Sequence, residues 1–154
     1  MDGHWGSVGV VALSPDSKIL TSGSIDETVK LWDATTGTLL QTLEGHLDFI
    51  WAITFSPGGR FLVSGSNDGT IKLWDTSTGT LQHTLDGNSG AVRAVAFSPD
   101  CQLLASDSIN NIVKIWDPIT GAVKQNLSVE EVVTDIGFSN RGAFLEMNIG
   151  QLSI

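Results

Sequence analysis

Cysteine is nearly missing from this sequence, with Cys101 the single one. That excludes an internal disulfide framework and any metal site built from several thiolates, and it fits a reducing compartment. Basic residues are scarce as well. Eight Lys and Arg stand against seventeen Asp and Glu, for a formal charge of −9, and the basic side chains are scattered singly. Nucleic acid binding needs a concentrated positive footprint, so neither nucleic acid nor an anionic membrane surface is an expected partner. The acidic surface favours solubility and a bias toward basic partners. Long apolar runs are absent too. The longest, Val8 to Leu13, falls far short of the ~20 residues that cross a bilayer. The amino terminus Met-Asp-Gly-His-Trp-Gly-Ser lacks the basic start and apolar core of a signal peptide. Asn126-Leu127-Ser128 is therefore read as a chance match to a glycosylation acceptor, and the expected location is the cytoplasm. No segment sustains a 3.6-residue apolar period, so an all-β chain is expected.

What is present is repetition. Trp32-Asp33, Trp74-Asp75 and Trp116-Asp117 recur at intervals of 42 residues. Gly3-His4 and Gly45-His46 share that interval, as do Ser14-Pro15, Ser56-Pro57 and Ser98-Pro99, and the glycines 37, 79 and 121. The units run 2–43, 44–85 and 86–127, followed by a shorter, degenerate unit over 128–154 carrying Phe138-Ser139. Within a unit, short runs rich in Val, Ile, Leu, Phe and Trp alternate with Gly, Pro, Asp and Asn, the pattern of strands joined by tight turns. In the second unit the strands are expected at 50–55, 60–65, 70–74 and 80–85. Ser56-Pro57-Gly58-Gly59, Asn67-Asp68-Gly69 and Ser77-Thr78-Gly79 supply the turns, because Pro fixes φ and Gly tolerates positive φ.

A period of about 40–45 residues with Gly-His and Trp-Asp marks four-stranded propeller blades. The strings Leu31-Trp32-Asp33-Ala34-Thr35-Thr36-Gly37 and Ser64-Gly65-Ser66-Asn67-Asp68-Gly69-Thr70-Ile71-Lys72-Leu73-Trp74-Asp75 resemble the consensus of the WD40 family. The resemblance covers essentially the whole chain and is most specific over 2–117. Uniform repeat length and the tail 144–154 are more narrowly similar to fungal NACHT–WD40 proteins of the heterokaryon-incompatibility class. The resemblance implies a WD40 β-propeller, here partial, with about four antiparallel four-stranded blades of which the last is incomplete.

Several polar residues invite a catalytic reading. The second unit holds His46, Ser64, Asp68 and Trp74, and the first repeats the set with His4, Ser22, Asp26 and Trp32. The WD40 resemblance implies that these are buried hydrogen-bonded tetrads. A catalytic site has no reason to recur every 42 residues, whereas a structural clamp does. The third unit keeps Ser106 and Trp116 but has Asn88 for His and Asn110 for Asp, so blade stability is expected to fall toward the carboxyl end. There is no Gly-x-x-x-x-Gly-Lys phosphate loop, and His4, His46 and His83 lack metal-ligand spacing. Gly87-Asn88-Ser89-Gly90 does not have the spacing of a nucleophile elbow, and Glu130-Glu131 reads as a solvated stretch. No enzyme activity, cofactor or metal is expected.

The repeats also serve as their own comparison. Positions fixed between units serve the fold, and positions that vary are free for recognition. Variation concentrates just after Gly-His and at the first exposed residue of the following strand: Trp5, Gly6, Ser7 and Gly9; Leu47, Asp48, Phe49 and Trp51; Ser89, Gly90, Ala91 and Arg93. Ile25, Asn67 and Ile109, with Glu27, Gly69 and Asn111, form a second variable set in nearby turns. The family resemblance puts both sets on the upper face of the propeller, and Arg60 and Arg141 on the opposite one. Phe49, Trp51 and Arg93 lead as binding residues, because aromatic and Arg side chains dominate interface energies. The expected function is a non-catalytic protein–protein interaction scaffold. The alternative is a truncated remnant or fragment of a larger fungal recognition protein without independent binding activity. An open stack is expected to leave two apolar flanks, which a homodimer closing a ring of about eight blades would cover.

Overall fold

The computed structural model describes residues 3–86, 88, 90–130, 133, 135–139, 144–147 and 150–153. Among the described residues, fifteen strands make four antiparallel sheets, each formed by strands consecutive in sequence. The first blade is β1 (Val8–Leu13), β2 (Ile19–Ser24), β3 (Val29–Asp33) and β4 (Leu39–Leu43). The second is β5 (Ile50–Phe55), β6 (Phe61–Ser66), β7 (Ile71–Asp75) and β8 (Leu81–Leu85). The third is β9 (Val92–Phe97), β10 (Leu104–Ser108), β11 (Ile112–Trp116) and β12 (Val123–Ser128). The last has three strands, β13 (Ile136–Phe138), β14 (Phe144–Met147) and β15 (Gly150–Ser153). Among the described residues there is no helix.

Short polar side chains hold the turns. Ser14 Oγ accepts the Ile19 amide at 2.9 Å, and Ser56 and Ser98 do the same for Phe61 and Leu103. In the first three blades the residue that reverses the chain there has positive φ, and it is glycine in the second: Ser17 (60°), Gly59 (71°), Cys101 (59°). After the third strand, Asp33 accepts the amides of Thr35 and Thr36 at 2.9 and 2.7 Å, and Gly37 closes the turn at φ 70°. Asp75 and Asp117 repeat this arrangement. The aspartate of each Trp-Asp pair therefore caps its turn.

A single blade cannot bury either face alone, and the core lies between blades. Strand β1 packs beside β5, β5 beside β9, and β9 beside β13. Val29, Leu31 and Leu43 of the first blade meet Ile50, Ile53, Phe55, Leu62 and Trp74 of the second. Ala52, Val63, Ile71, Leu73 and Leu85 then meet Val92, Val95, Leu104 and Trp116. Ala94, Ala96, Ala105, Val113 and Ile115 meet Val133, Ile136 and Leu145. Gly65 allows the close approach, since a Cβ there would sit 2.6 Å from Val92 Cγ1. The third blade has Asp107 at this position.

The two ends of the stack differ, contrary to the expectation of two apolar flanks. On the first blade Val8, Val11 and Leu13 are 50–60% exposed, whereas the matching Ile50, Ile53 and Phe55 are at most 8% exposed. The outer side of the last blade carries Glu146 and Gln151, both exposed.

Candidate functional site

Two loops rise at the same edge of each of the first three blades, one before the innermost strand and one between the second and third strands. Backbone bonds tie them together: the Ile25 amide donates to Ser7, Asn67 to Phe49, and Ile109 to Ala91, all at 2.8–3.0 Å. The sequence positions that vary between repeats are thereby set side by side on one rim.

Beneath each of the first two rims lies the polar set. In the second blade His46 Nδ1 is 3.0 Å from Asp68 Oδ2, and His46 Nε2 is 2.8 Å from Ser64 Oγ. The Trp74 indole N–H donates to the same Ser64 oxygen at 2.9 Å. A neutral imidazole with its proton on Nδ1 satisfies all three contacts, since Ser64 then donates to Nε2. Asp68 also accepts the amides of Leu47 and Thr70 and the Thr70 hydroxyl. Burial by itself would raise the Asp68 carboxyl, yet these donors bring it down to about 2. Burial likewise lowers His46, against the pull of Asp68. The first blade repeats the geometry through His4, Asp26, Ser22 and Trp32, with all three contacts at 2.8 Å. Every oxygen and nitrogen of these sets faces a partner in its own blade, and the Ser64 hydroxyl is fully buried. Through the Leu47 and Trp5 amides, the same carboxylates anchor the variable loops.

The third blade keeps the Trp116–Ser106 bond, at 2.8 Å. Asn88 replaces the histidine, is 9% exposed, and neither its Nδ2 nor its Oδ1 has a hydrogen-bond partner.

Between the rims of the second and third blades lies a hollow of about 420 Å3, lined by Trp51, Asn67, Ala91, Arg93 and Ile109. Trp51 is 47% exposed and meets Phe49 edge to face, with ring centroids 6.4 Å apart. Asn67 donates its side-chain amide to Asp48 at 2.6 Å, which fixes the wall. Of the residues expected to bind a partner, Trp51, Asn67, Arg93 and Ile109 thus share one cavity, with Asp48 and Phe49 supporting it. Trp5 (83% exposed), Ser7, Gly9 and Ile25 are exposed on the first blade's rim and do not line this hollow. Ser89 falls outside the described residues, as does Arg141.

Sequence reasoning missed Asp107. It is 1% exposed at the inter-blade contact, and its Oδ1 has no hydrogen-bond partner. Burial pushes its carboxyl up to about 6, against the Ser108 amide and the Arg93 guanidinium. The signal was available, because Asp107 stands where Gly23 and Gly65 mark the glycine position of the repeat. Among the described residues, no group of three or more His, Cys, Asp or Glu is placed to hold a metal ion.

Antiparallel blades that bury their faces on one another, the first two with an intact polar clamp under paired loops, define a β-propeller repeat protein. The particular family follows from the match to the model described as "WD domain, G-beta repeat", over residues 1–33, 37–75 and 79–117. The chain belongs to the WD40 family. It is similar to Protein Mut11 of Chlamydomonas reinhardtii, 50% identical over 42 residues, or 27% of this chain and 11% of that protein. Eukaryotic translation initiation factor 3 subunit I of Neurospora crassa is 48% identical over 40 residues, 26% of this chain and 12% of the other. Small ribosomal subunit protein RACK1y of Oryza sativa subsp. japonica is 46% identical over 44 residues, 29% and 13% of the two chains. Each likeness spans about one repeat, so the alignments cover only about an eighth of these relatives' length.

Proposed function

We propose that this chain is a non-catalytic interaction scaffold that holds a protein partner at the rim between its second and third blades. The observation that carries this reading is the hollow where Trp51, Asn67, Arg93 and Ile109 converge. Those residues vary between repeats whose framework is otherwise fixed, and a half-exposed Trp beside an Arg is the composition of an energetic hot spot. The rim residues Trp5, Ser7, Gly9, Ile25, Asp48 and Phe49 extend the surface on either side, and Ser89 joins the set by its place in the repeat alone. A protein partner is favoured over nucleic acid by the charge of −9. Among the described residues no helix is long and apolar enough to cross a membrane, and a cytoplasmic setting is part of the proposal.

We assign the whole of 1–154 to one repeat region. The narrower fungal affiliation rests on the uniform repeats and the tail alone. The ring-closing homodimer has the uncovered flank of the first blade in its favour and the polar side of the last blade against it.

Affinity capture from cell extract with wild type, Trp51→Ala, Arg93→Ala and a Leu40→Ala control on the outermost strand tests the reading. Proteins retained by wild type and the control should be reduced roughly tenfold by Trp51→Ala. Identical capture by all four chains would refute the rim site, and no specific capture would favour the remnant reading.

A further inference from the structure

The edge of the blades opposite the rim is bridged at one junction and open at the next. Between the first and second blades, Gln41 on β4 reaches across, and its Nε2 donates to the Ser77 carbonyl in the turn after β7, at 3.1 Å. Its amide fills the gap so closely that a Cβ on Gly79 would collide with it. At the next junction, 42 residues on, His83, Ile119 and Gly121 take these places. A Cβ on Gly121 would meet Leu85 Cδ2 at 3.2 Å and no atom of His83 within 4 Å. Among the described residues no side chain donates to the Ile119 carbonyl. The bridge is lost, and a hollow of about 290 Å3 stands in its place.

The lining restricts what the hollow can take. Phe61, Leu73, Phe97, Pro118 and Ile119 form its walls, and no Asp, Glu, Lys or Arg lines it. An ion entering would shed water without gaining a counter-charge, so the occupant is neutral. Phe61 and Phe97 are only partly buried, and their rings favour another aromatic group against them. Arg60 lies over the Phe61 ring, 4.9 Å from its centroid, and braces that wall. The unbridged carbonyl calls for an N–H or O–H donor in the role of the Gln41 amide. Gln82 and Gln102, both exposed, border the same hollow, with amides able to pair with the main chain of a peptide that carries the aromatic group.

We propose that this hollow is a second partner site, which receives the neutral side chain of a tyrosine or tryptophan from a partner protein. The ring packs against Phe61 and Phe97, and its O–H or N–H donates to the Ile119 carbonyl.

Cys101, the chain's single cysteine, lines the same hollow and reports its occupancy. The test follows alkylation of Cys101 by iodoacetamide in the full chain, by mass spectrometry, each rate being compared with that of the same chain without ligand. N-acetyltyrosinamide and N-acetyltryptophanamide should slow it roughly threefold or more, with half-effect at about 1–10 mM. N-acetylphenylalaninamide, which lacks the donor, should need several-fold more, and the charged N-acetylaspartic acid amide should have no effect. Acetyl-Gly-Gly-Tyr-Gly-Gly-amide should act at least as well as the capped tyrosine. His83→Gln restores the Gln41 bridge, and Ile119→Glu puts a charge at a position that is 69% exposed and so tolerant of change. Either substitution should remove the protection. No protection in wild type, or protection unchanged in a folded His83→Gln or Ile119→Glu chain, would overturn the proposal. Equal action of the phenylalanine amide would overturn the bond to Ile119. Exclusion of the pentapeptide would reassign the hollow to a small molecule, contrary to the partner proposed.

Discussion

In the second blade one carboxylate ties two segments together. Asp68 accepts from the loop that precedes β5 through Leu47, from the start of β7 through Thr70, and from His46. Removing the imidazole strands Asp68 and Ser64, so His46→Ala should destabilise by about 1–3 kcal/mol in thermal or urea denaturation. Acid should act on the same pair. Asp68 is lowered to about 2 in the fold, so its contribution is present above pH 4 and lost as pH falls toward 2. His46 is also lowered, so the folded chain favours neutral imidazole and loses stability as pH drops below 6.5. Asp107 has the opposite sign. Its raised value, about 6, means that the folded state gains where the acid is protonated, below pH 4, and loses that gain as pH rises through 6. Asp107→Asn should therefore stabilise the chain at pH 7.5 by about 1–3 kcal/mol, and the gain should vanish near pH 4. A pH-independent effect would mean that the side chain is not buried as a charge.

At the scale of the blade, the third is a natural variant of the second. It keeps the same strands and the same Trp–Ser bond, but a buried amide without partners stands in place of a bonded imidazole. Asn88→His together with Asn110→Asp rebuilds the missing half of the clamp. The pair should stabilise by about 1–2 kcal/mol, and Asn88→His alone should give less than half of that, because an imidazole without its carboxylate gains little. Additive effects of the two changes would show that they do not meet. The strands were legible because each blade carries period-two apolar residues between turn residues of restricted φ. The expected 50–55, 60–65, 70–74 and 80–85 fall within one residue of β5 to β8. Which sides are covered was not legible. Val8 and Ile50 are the same kind of residue at the same repeat position, and only the neighbour decides that one is 50% and the other 1% exposed. The rim could be located from sequence variation, but the hollow itself depends on how β5 and β9 lie side by side, and no residue spacing encodes that.

Across the molecule, cohesion comes from side-by-side burial rather than from a common centre. Each blade's share depends on how many of its faces are covered and on whether its clamp is complete. The second blade has both faces covered and an intact clamp. The first has the clamp and one open side, the third two covered sides and a broken clamp, and the last a single covered side. Amide hydrogen exchange, resolved strand by strand on the full chain, measures that gradient directly. Protection should be greatest in β5 to β7, lower in β1 to β3 and β9 to β11, and least in β13 to β15. Equal protection in all four sheets, or a last blade as slow to exchange as the second, would contradict a fold held together by stacking.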